Sequence, residues 1–452
     1  MKIVISNTLR ISSIPSSLYQ VLIETFTFAN PKWIENVKMN RWNRGTPKFL
    51  RFYRKTKGDG LTVPRGYLRQ FILLCRKENV DYSIDDKRNK IEPVDFVFKG
   101  QLKPFQQTAV QTMLSKDFGT LSAPTGSGKT VMALYMIAQR RQPALIVVHT
   151  KELAFQWVNR IGTFLGISDA DVGMIGAGKK SMGEKITVAL VQTLYKYVDE
   201  VVPDIGYLIV DECHRAPSRT FTEAVSEFNS RYMMGLSATP WRRDGLSKLI
   251  FWHLGDVHHD IEKKHLIESG DVLRAEVITR HTDFKPYHDP VNEYSKMLAE
   301  LTANDDRNRL IASDVALEAK KNAGVCLVLS DRKKHCETLH TLLRFKYNIR
   351  SELLTGDLKG SERKEVIERL NMGDVKVIVA TGQLIGEGFD NSMLTTLFIT
   401  TPVRFSGRVL QYLGRVLRPS PGKKVARIYD YIDIHVEPLA ASARARQKVY
   451  DS

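Results

Sequence analysis

The sequence predicts an α/β protein in which two parallel-sheet units follow a small, basic α+β N-terminal domain. From about residue 118, short apolar segments alternate with amphipathic helical stretches, as parallel strands and their connecting helices do. The alternation weakens after Asp244 and resumes at Gly324, which indicates two such units. Residues 1–100 hold 19 Lys or Arg but only 9 Asp or Glu, so the first part of the chain differs in composition.

Four segments are predicted along the chain. They are a basic N-terminal domain at 1–95, a first sheet unit at 96–250, a connector at 251–310 and a second sheet unit at 311–452. The predicted strands of the first unit are Gly119–Ser122, Ala144–Val148, Thr187–Val191, Tyr207–Val210 and Tyr232–Leu236. Those of the second are Gly324–Leu329, Arg350–Leu354, Val375–Ala380, Thr395–Thr400 and Ala426–Tyr431.

Composition narrows the class of protein. The 452 residues carry a formal net charge of +17, and such a surface attracts polyanions. No segment approaches the roughly 18 apolar residues that span a bilayer, and the N-terminus does not resemble a signal peptide. Four cysteines without a CxxC pair indicate neither a zinc site nor a disulfide framework. A reducing, cytoplasmic location is predicted, which would be the host cytoplasm if a phage encodes the chain.

The segment Ala123-Pro-Thr-Gly-Ser-Gly-Lys-Thr130 has the form of a phosphate-binding loop. It follows a short apolar strand and precedes a helical run, which is the context that such a loop needs. We therefore predict ATP as cofactor, with Lys129 at the β- and γ-phosphates and Thr130 on Mg²⁺. The backbone contacts to phosphate are assigned to Thr125, Gly126, Ser127 and Gly128. The alternative, a chance glycine-rich turn, does not explain the complete Gly-Lys-Thr.

An acidic pair follows the apolar strand Tyr207–Val210. Asp211 is placed to hold Mg²⁺ or its water shell, and Glu212 is placed to accept a proton from the attacking water. An acidic pair after a strand is commonplace on its own. Here it gains meaning from the phosphate loop upstream.

This arrangement resembles the core of superfamily 2 helicases of the DEAH/DECH type, which consists of two RecA-like domains. The resemblance implies that Gln106, in Leu102-Lys-Pro-Phe-Gln106, reads the adenine of ATP. It implies a nucleic-acid contact for Thr150, Lys151, Gln192 and Thr193. It implies that three residues couple the nucleotide state to the binding of the nucleic-acid strand: His214, Ser237 and Thr239.

The second sheet unit continues the resemblance in order. Val328-Leu-Ser330 resembles motif IV, and Ala380–Asp390 resembles motif V, in which Asp390 would lie near the ribose of ATP. The segment from Gln411 to Arg418 resembles motif VI and implies a catalytic role for Gln411, Arg415 and Arg418. The two arginines are three residues apart and share a helix face, where guanidinium groups can stabilise the γ-phosphate in the transition state. A helical arginine pair taken alone is more often a solvated face.

Three further sequence segments resemble those of the XPB and UvsW branch of DNA helicases. The segments are Gly235–Gly245, Asp306-Arg-Asn308 and Gly386-Glu-Gly-Phe-Asp390. The DEAD-box RNA helicases differ, because they carry Asp-Glu-Ala-Asp where this chain has Asp211-Glu-Cys-His214.

The basic segment, residues 38–57, holds eight Lys or Arg and no acid. Aromatic residues are interleaved: Trp42, Phe49, Phe52 and Tyr53. Basic side chains that follow phosphates and aromatics that stack on bases predict nucleic-acid binding, assigned to Arg41, Arg44, Arg51 and Arg54. The alternative is a solvated basic hairpin with its aromatics in a small core. Phe26, Phe28, Trp33 and the segment 40–45 also resemble the N-terminal domain of UvsW-type phage recombination helicases.

The predicted function is an ATP-dependent DNA helicase, acting as a monomer, that drives branch migration or fork regression. Its predicted partners are branched or single-stranded DNA and other recombination proteins. Three alternatives stay open: an RNA helicase, a translocase subunit of a restriction system, and a nucleic-acid-binding module with an inactive motor. The second needs a nuclease motif, which the chain does not show, and the third conflicts with the complete set of catalytic motif residues.

Overall fold

The computed structural model describes most of the chain. The described residues are 1–56, 58–89, 91–215, 219–238, 247–321, 324–358, 360–382, 393–403, 412–414, 416–417, 419–420, 423 and 425–450. They form two compact units. The first unit combines Met1–Ala123 with Gly128–Ile261, and the second combines Pro124–Ser127 with Glu262–Ser452.

The first unit begins with a five-stranded sheet of order β5-β6-β2-β1-β7. Its strands are β1 (Lys2–Ile5), β2 (Thr8–Ser12), β5 (Arg54–Thr56), β6 (Gly60–Pro64) and β7 (Ser83–Asp86). All pairs are antiparallel except β1 with β7. A separate antiparallel hairpin joins β3 (Thr27–Ala29) to β4 (Phe49–Arg51). The helices of this part are α1 (Ser16–Thr25), α2 (Pro31–Lys38) and α3 (Leu68–Lys77).

An eight-stranded sheet forms the rest of the first unit, with the order β11-β10-β12-β9-β13-β14-β8-β15. Every pair is parallel except β10 with β11. Its strands are β8 (Phe118–Ser122), β9 (Ala144–Val148), β10 (Gly173–Gly176), β11 (Lys179–Ser181), β12 (Ile186–Leu190), β13 (Tyr207–Val210), β14 (Tyr232–Ser237) and β15 (Val257–Asp260). The central strands are buried along their whole length, as apolar parallel strands covered on both faces must be.

Helices cover this sheet and connect its strands. They are α4 (Pro104–Leu114), α5 (Lys129–Arg140), α6 (Lys151–Leu165), α7 (Val191–Leu194), α8 (Val198–Val201), α9 (Arg219–Glu227) and α10 (Ser247–Leu254). Thr150 caps α6 by accepting a hydrogen bond from Leu153 N at 3.3 Å. Gly166 ends α6 in the left-handed region, with φ 66°.

The second unit is built on a six-stranded parallel sheet of order β16-β21-β20-β17-β19-β18. Its strands are β16 (Ala275–Thr282), β17 (Val325–Ser330), β18 (Ser351–Leu354), β19 (Val377–Thr381), β20 (Leu394–Ile399) and β21 (Ala426–Asp433). Its helices are α11 (Lys263–Glu268), α12 (Tyr294–Ala303), α13 (Asp305–Lys321), α14 (Lys333–Thr341), α15 (Gly360–Asn371) and α16 (Glu437–Tyr450).

The predicted fold class is confirmed, because each unit contains a largely parallel α/β sheet. Ala144–Val148 and Tyr207–Val210 match their predicted bounds, and the other predicted strands differ by one or two residues at an end. The prediction missed β10 and β11, which give little apolar signal because β10 is short and glycine-containing and β11 is short and polar.

The segment 251–310, predicted as a connector, contributes a strand to each sheet. β15 lies at the edge of the first sheet beside β8, and β16 lies at the edge of the second beside β21. Edge strands have one uncovered side, so both carry charged and polar residues that hide their apolar pattern. The segment was predicted as a connector because it is rich in charged residues and histidine.

The N-terminal residues share a core with the first parallel sheet. Trp252 of α10 is 3% exposed and its ring lies 4.7 Å from that of Phe26 and 5.7 Å from that of Phe52. The buried Arg65 donates from Nη1 to the carbonyl of Ser230 at 2.8 Å. Residues 1–95 and the first parallel sheet accordingly belong to one compact unit.

Two buried ion pairs and a polar chain organise the second unit. Arg307 Nε lies 2.8 Å from Asp433, and Arg446 binds Asp430 through two nitrogens. Asn308 Oδ1 lies 2.8 Å from His335 Nε2, whose other ring nitrogen meets Ser330 Oγ at 2.9 Å. Burial lowers the pKa of His335 to about 3, so the ring is neutral at pH 7. The Asp306-Arg-Asn308 element therefore has a structural role in this unit.

All four cysteines are buried and unpaired, as the absence of a disulfide pattern predicts. Burial is the main cause that raises the pKa of each thiol. Among the described residues, no helix combines the length and apolar character that a bilayer crossing requires.

Trp252→Ala tests the shared core. Removing a buried indole from an aromatic cluster should reduce the free energy of unfolding by about 3–5 kcal/mol, measured by urea unfolding with circular dichroism. Trp42→Ala is the matched control, because Trp42 is 84% exposed and should change the free energy by less than about 0.5 kcal/mol. Equal effects of the two substitutions would contradict the shared core.

Candidate functional site

Predicted site residues follow, in the chain, the carboxyl ends of five parallel strands of the eight-stranded sheet. The phosphate loop follows β8, and Asp211 follows β13. Thr150, Gln192 and Ser237 stand at the ends of β9, β12 and β14. Because parallel strands end at one edge of a sheet, this edge is where an α/β protein builds a ligand site.

The phosphate loop has the backbone that its glycines allow. Gly126 and Gly128 have φ values of 96° and 83°, which residues with a side chain rarely adopt. α5 begins at Lys129, so the free N–H groups of its first turn lie at the loop. Lys129 Nζ donates to the carbonyl of Ala123 at 2.9 Å, which holds the ammonium group at the loop's start.

Gln106 lies against the phosphate loop. A Cβ built on Gly128 would lie 2.4 Å from Gln106 Nε2, so a side chain at position 128 would force Gln106 to shift. Gln106 Oε1 accepts a hydrogen bond from Lys103 N at 3.0 Å and helps to cap α4. The structure thus brings Gln106 and the loop together, as the resemblance implies.

Asp211 is a buried carboxylate held from two sides. Trp157 Nε1 donates to its Oδ2 at 2.8 Å, and Glu212 N donates to its Oδ1 at 2.9 Å. Burial, followed by the charge of Glu212, raises the pKa of Asp211 from 3.8 to about 6. A carboxylate in this environment gains from a nearby cation, and Lys129 already lowers its pKa.

Glu212, His214 and Ser237 form a connected group. Glu212 has a φ of 50°, which is uncommon for a residue with a side chain and typical of functional sites. His214 Nδ1 lies 3.2 Å from Glu212 Oε2 and 3.1 Å from Ser237 Oγ. One imidazole therefore links the acidic pair to the end of β14.

Metal ligands are few at this edge. Thr130 and Asp211 are the predicted pair, and the described part of the chain holds no cluster of three His, Cys, Asp or Glu side chains suited to a metal. Mg²⁺ commonly takes one or two protein ligands and completes its shell with water and nucleotide phosphate. A dication beside the Asp211 carboxyl would favour its ionised form and so oppose the rise in pKa that burial and Glu212 cause.

The predicted strand-contacting residues lie at the same edge. Thr150 uses its hydroxyl to cap α6, and Lys151 is exposed at the first turn of that helix. Gln192 Nε2 donates to the carbonyl of His149 at 3.3 Å, which ties the end of β12 to the end of β9. Thr193 follows in α7.

Other predicted site residues lie outside the described residues. They are Thr239, Asp390, Gln411, Arg415 and Arg418.

In the basic segment, Arg41, Arg44, Arg51 and Arg54 are all exposed. Its aromatics divide into two groups. Phe52 and Tyr53 pack against the N-terminal core, whereas Trp42 and Phe49 are 84% and 48% exposed. The expectation of aromatics in a small core therefore fits the first pair and fails for the second.

Sequence reasoning missed the hydrogen bond from Trp157 to Asp211. The available signal is helical spacing, because Ala154, Trp157, Val158 and Ile161 repeat as a buried face of α6. It also missed Trp252 and Arg65, whose partners are far away in sequence.

Two family descriptions match the chain in order. Residues 99–242 match "Type III restriction enzyme, res subunit", and residues 302–420 match "Helicase conserved C-terminal domain". Together these matches cover more than half of the 452 residues.

Similar proteins come from viruses and an archaeon. A protein of Acanthamoeba polyphaga mimivirus, described as an ATP-dependent RNA helicase, is 27% identical over 97% of this chain and 81% of its own length. The DNA 3'-5' translocase XPB2 of Sulfurisphaera tokodaii is 27% identical over 76% of this chain and 85% of its own. The ATP-dependent DNA helicase uvsW of Enterobacteria phage T4 is 24% identical over 76% and 70%.

A solved structure shares the fold. A fragment described as an HsdR subunit of a type I restriction enzyme from Vibrio vulnificus YJ016 superposes with a TM-score of 0.58 at 20% identity. The match covers 83% of this chain and 72% of that one.

The matched families, the relatives and the geometry agree. The phosphate loop and the Asp-Glu-Cys-His segment follow β8 and β13, the two parallel strands on either side of β14, and a helicase C-terminal domain follows. The chain therefore belongs to the superfamily 2 helicases, enzymes that use ATP to unwind nucleic acid, with relatives of the XPB and UvsW kinds.

Proposed function

We propose that this helicase acts on branched DNA, driving branch migration of Holliday junctions and regression of forks. One observation carries the proposal: the exposed basic segment belongs to the same compact unit as β8 and the acidic pair. A motor does not need such a segment to hydrolyse ATP. It does need a second grip to hold one duplex arm while it pulls another.

ATP binding is assigned to the loop and its neighbours. Backbone N–H groups from Thr125 to Gly128 surround the phosphates, and the N-terminus of α5 adds a favourable dipole. Lys129 exchanges the carbonyl of Ala123 for the β- and γ-phosphates. Gln106, beside Gly128, reads the adenine.

Hydrolysis is assigned to the acidic pair. Thr130 and Asp211 hold Mg²⁺, which neutralises phosphate charge when it is bound. Glu212 orients the attacking water and accepts its proton. Trp157 keeps the Asp211 carboxylate fixed at the sheet edge, which limits the reorganisation that binding requires.

Coupling to the nucleic acid is assigned to His214, Ser237 and Thr239. The His214 ring contacts both Glu212 and Ser237, so a shift of Glu212 on hydrolysis reaches the loop after β14. The nucleic-acid strand along which the motor moves is bound by that loop and by four residues: Thr150, Lys151, Gln192 and Thr193.

The second RecA-like domain completes the motor in this proposal. Asp390 contacts the ribose, Gln411 assists catalysis, and Arg415 and Arg418 stabilise the charge on the transferred γ-phosphoryl group. Residues 1–95 act as the DNA-binding domain, 96–250 and 311–452 as the two motor domains, and 251–310 as the link that also adds strands.

Two alternatives have a specific observation in their favour. The mimivirus relative is described as an RNA helicase, which favours RNA as substrate. The restriction-enzyme family match and the HsdR likeness favour a DNA translocase without unwinding.

Matched substrates distinguish these functions. The experiment compares ATP-dependent strand separation on a fork, a Holliday junction and an RNA duplex of equal length. Faster turnover of the fork and junction supports the proposal, and preference for RNA contradicts it. ATP hydrolysis stimulated by DNA without strand separation would indicate a translocase.

Lys129→Ala and Glu212→Gln should each reduce kcat for ATP hydrolysis by at least about 100-fold, because one removes charge stabilisation and the other the base. Glu212→Gln should keep its affinity for ATP. Glu227→Gln, an exposed glutamate of α9, is the control and should hydrolyse ATP at the parent rate. Normal turnover by Glu212→Gln would remove that residue from the role of base.

Asp211→Asn tests the pKa of the buried carboxyl. Since the folded pKa is about 6 and the ordinary value 3.8, the folded chain binds more protons between those pH values. The ionisation of this carboxyl therefore lowers the free energy of unfolding of the parent as pH rises from about 4 to 6. The variant has no carboxyl at this position and avoids that loss. Without nucleotide or metal, the variant's Tm should rise relative to the parent's over this range and then level off.

The control for this test is Asp199→Asn, which changes an exposed aspartate of α8. A Tm difference between Asp211→Asn and the parent that is flat from pH 4 to 7 would contradict the burial effect.

Neutralising four arginines of the basic segment tests substrate choice. The variant changes Arg41, Arg44, Arg51 and Arg54 to glutamine. It should bind junctions and forks more weakly than the parent and show a shallower salt dependence because fewer counterions are released. The measurement is the Kd for each DNA across a salt series.

A charge-matched control separates the patch from net charge. It neutralises four exposed basic residues of the second unit: Lys320, Lys321, Arg344 and Lys346. Equal losses in the two quadruple variants would make the basic segment a general attractant for polyanions, against the proposal.

A further inference from the structure

An apolar surface lies exposed on the basic segment and on the helix before it. α2 is amphipathic, yet none of its residues is buried. The exposed apolar side chains of α2 and the following residues are Ile34, Val37, Met39, Trp42 and Phe49. Trp42, at 84% exposure, presents nearly its whole indole to solvent. Burying an indole is worth several kcal/mol, so such exposure is unusual without a ligand that covers it.

The segment that carries Trp42 is held in place. Arg41 N donates to the carbonyl of Asn36 at 2.7 Å, and Asn36 Nδ2 donates to Asn43 Oδ1 at 3.0 Å. Asn43 Nδ2 donates back to the carbonyl of Trp33 at 3.4 Å. These bonds fix the chain on both sides of Trp42, so a ligand would meet an ordered ring.

The residues that follow Trp42, from Pro47 to Phe49, are also anchored to α2 and to its N-cap. Asn30 caps α2 by accepting from Lys32 N at 3.0 Å, and its Nδ2 donates to the carbonyl of Pro47 at 2.9 Å. Lys48 lies above the rings of Trp33 and Phe49, with Nζ 5.4 Å and 5.6 Å from the ring centroids. Those two rings already face a cation, which distinguishes them from Trp42.

The charge around the apolar surface selects the occupant. From Asn36 to Gly58 the chain has eight basic residues and no acid. Arg41 and Arg44, both exposed, flank Trp42 within two positions. A protein surface or a second copy of this positively charged chain would have to supply acidic groups, whereas a nucleic-acid strand offers a phosphate beside every base.

We propose that Trp42 stacks on an unpaired base of a DNA strand, with Arg41 and Arg44 on the neighbouring phosphates. Stacking on an exposed aromatic is strong and tolerant of sequence, because every base has a π-face. A base inside a duplex has both faces covered by its neighbours and cannot offer one. The basic segment thus recognises the unpaired bases of a branch point as well as the charge of the DNA phosphates.

This inference rests on the proposed action on DNA and names the feature of the DNA that the N-terminal region reads. The test compares the parent, Trp42→Ala and Trp42→Phe on one 20-nucleotide sequence as a single strand and as a blunt duplex. The single strand carries 2-aminopurine, whose fluorescence falls when an aromatic ring stacks on it.

Trp42→Ala should weaken single-strand binding about 10-fold and reduce the fluorescence change, because one base–aromatic stack is lost. Duplex affinity should change less than about 2-fold. Trp42→Phe keeps a ring and should retain most of the parent affinity. Phe345→Ala removes a ring that is 79% exposed in the second unit and should match the parent on both DNAs.

Unchanged single-strand affinity for Trp42→Ala, or an equal loss on duplex, would overturn the inference and leave the proposed function standing. A parent protein that binds neither DNA would instead overturn the proposed function. A third outcome is that Trp42→Ala abolishes self-association in sedimentation and leaves DNA affinity unchanged. In that case a second copy of the chain covers the apolar surface, and the inference is wrong.

Discussion

The parallel pairing of β8 with β14 is the constraint on which the candidate site depends. The ladder runs from Phe118 to Ser122 and continues past the strand, where Ala123 N donates to the carbonyl of Ser237 at 2.9 Å. The phosphate loop therefore leaves the sheet beside the residue whose hydroxyl meets His214. β14 also pairs with β13, so the acidic pair is fixed from the other side. The residues proposed to bind nucleotide and those proposed to couple its hydrolysis to strand binding are thus held by the same strand, β14.

Sequence patterns predicted the parallel sheets well because buried parallel strands are apolar throughout and short. β9 and β13 are of this kind, and their bounds were predicted without error. The phosphate loop and the acidic pair could also be located, since their chemistry demands particular residues after particular strands. What escaped prediction depends on contacts between distant residues. Examples are the hydrogen bond from Trp157 to Asp211 and the edge positions of β15 and β16.

The N-terminal region illustrates the same limit. Its basic composition indicated a binding surface, and its aromatics could have been ligands or core. Only the fold assigns them: Phe52 joins Phe26 and Trp252 inside, while Trp42 points outward. Because Phe52 lies between Arg51 and Arg54, the core contact with α10 holds the basic hairpin to the first unit. If the basic segment binds DNA as proposed, a force on that DNA would reach the first parallel sheet through packed aromatic rings rather than through a flexible tether.

The burial of every cysteine has a practical consequence for following this enzyme at work. Cys75, Cys213, Cys326 and Cys336 all lie inside the protein, and their raised pKa values keep them protonated at neutral pH. Dyes that attack thiolates would find little to react with in the native chain. A cysteine introduced on an exposed loop would then take the label almost alone, so fluorophores for single-molecule measurements can be attached without first removing native thiols from the core.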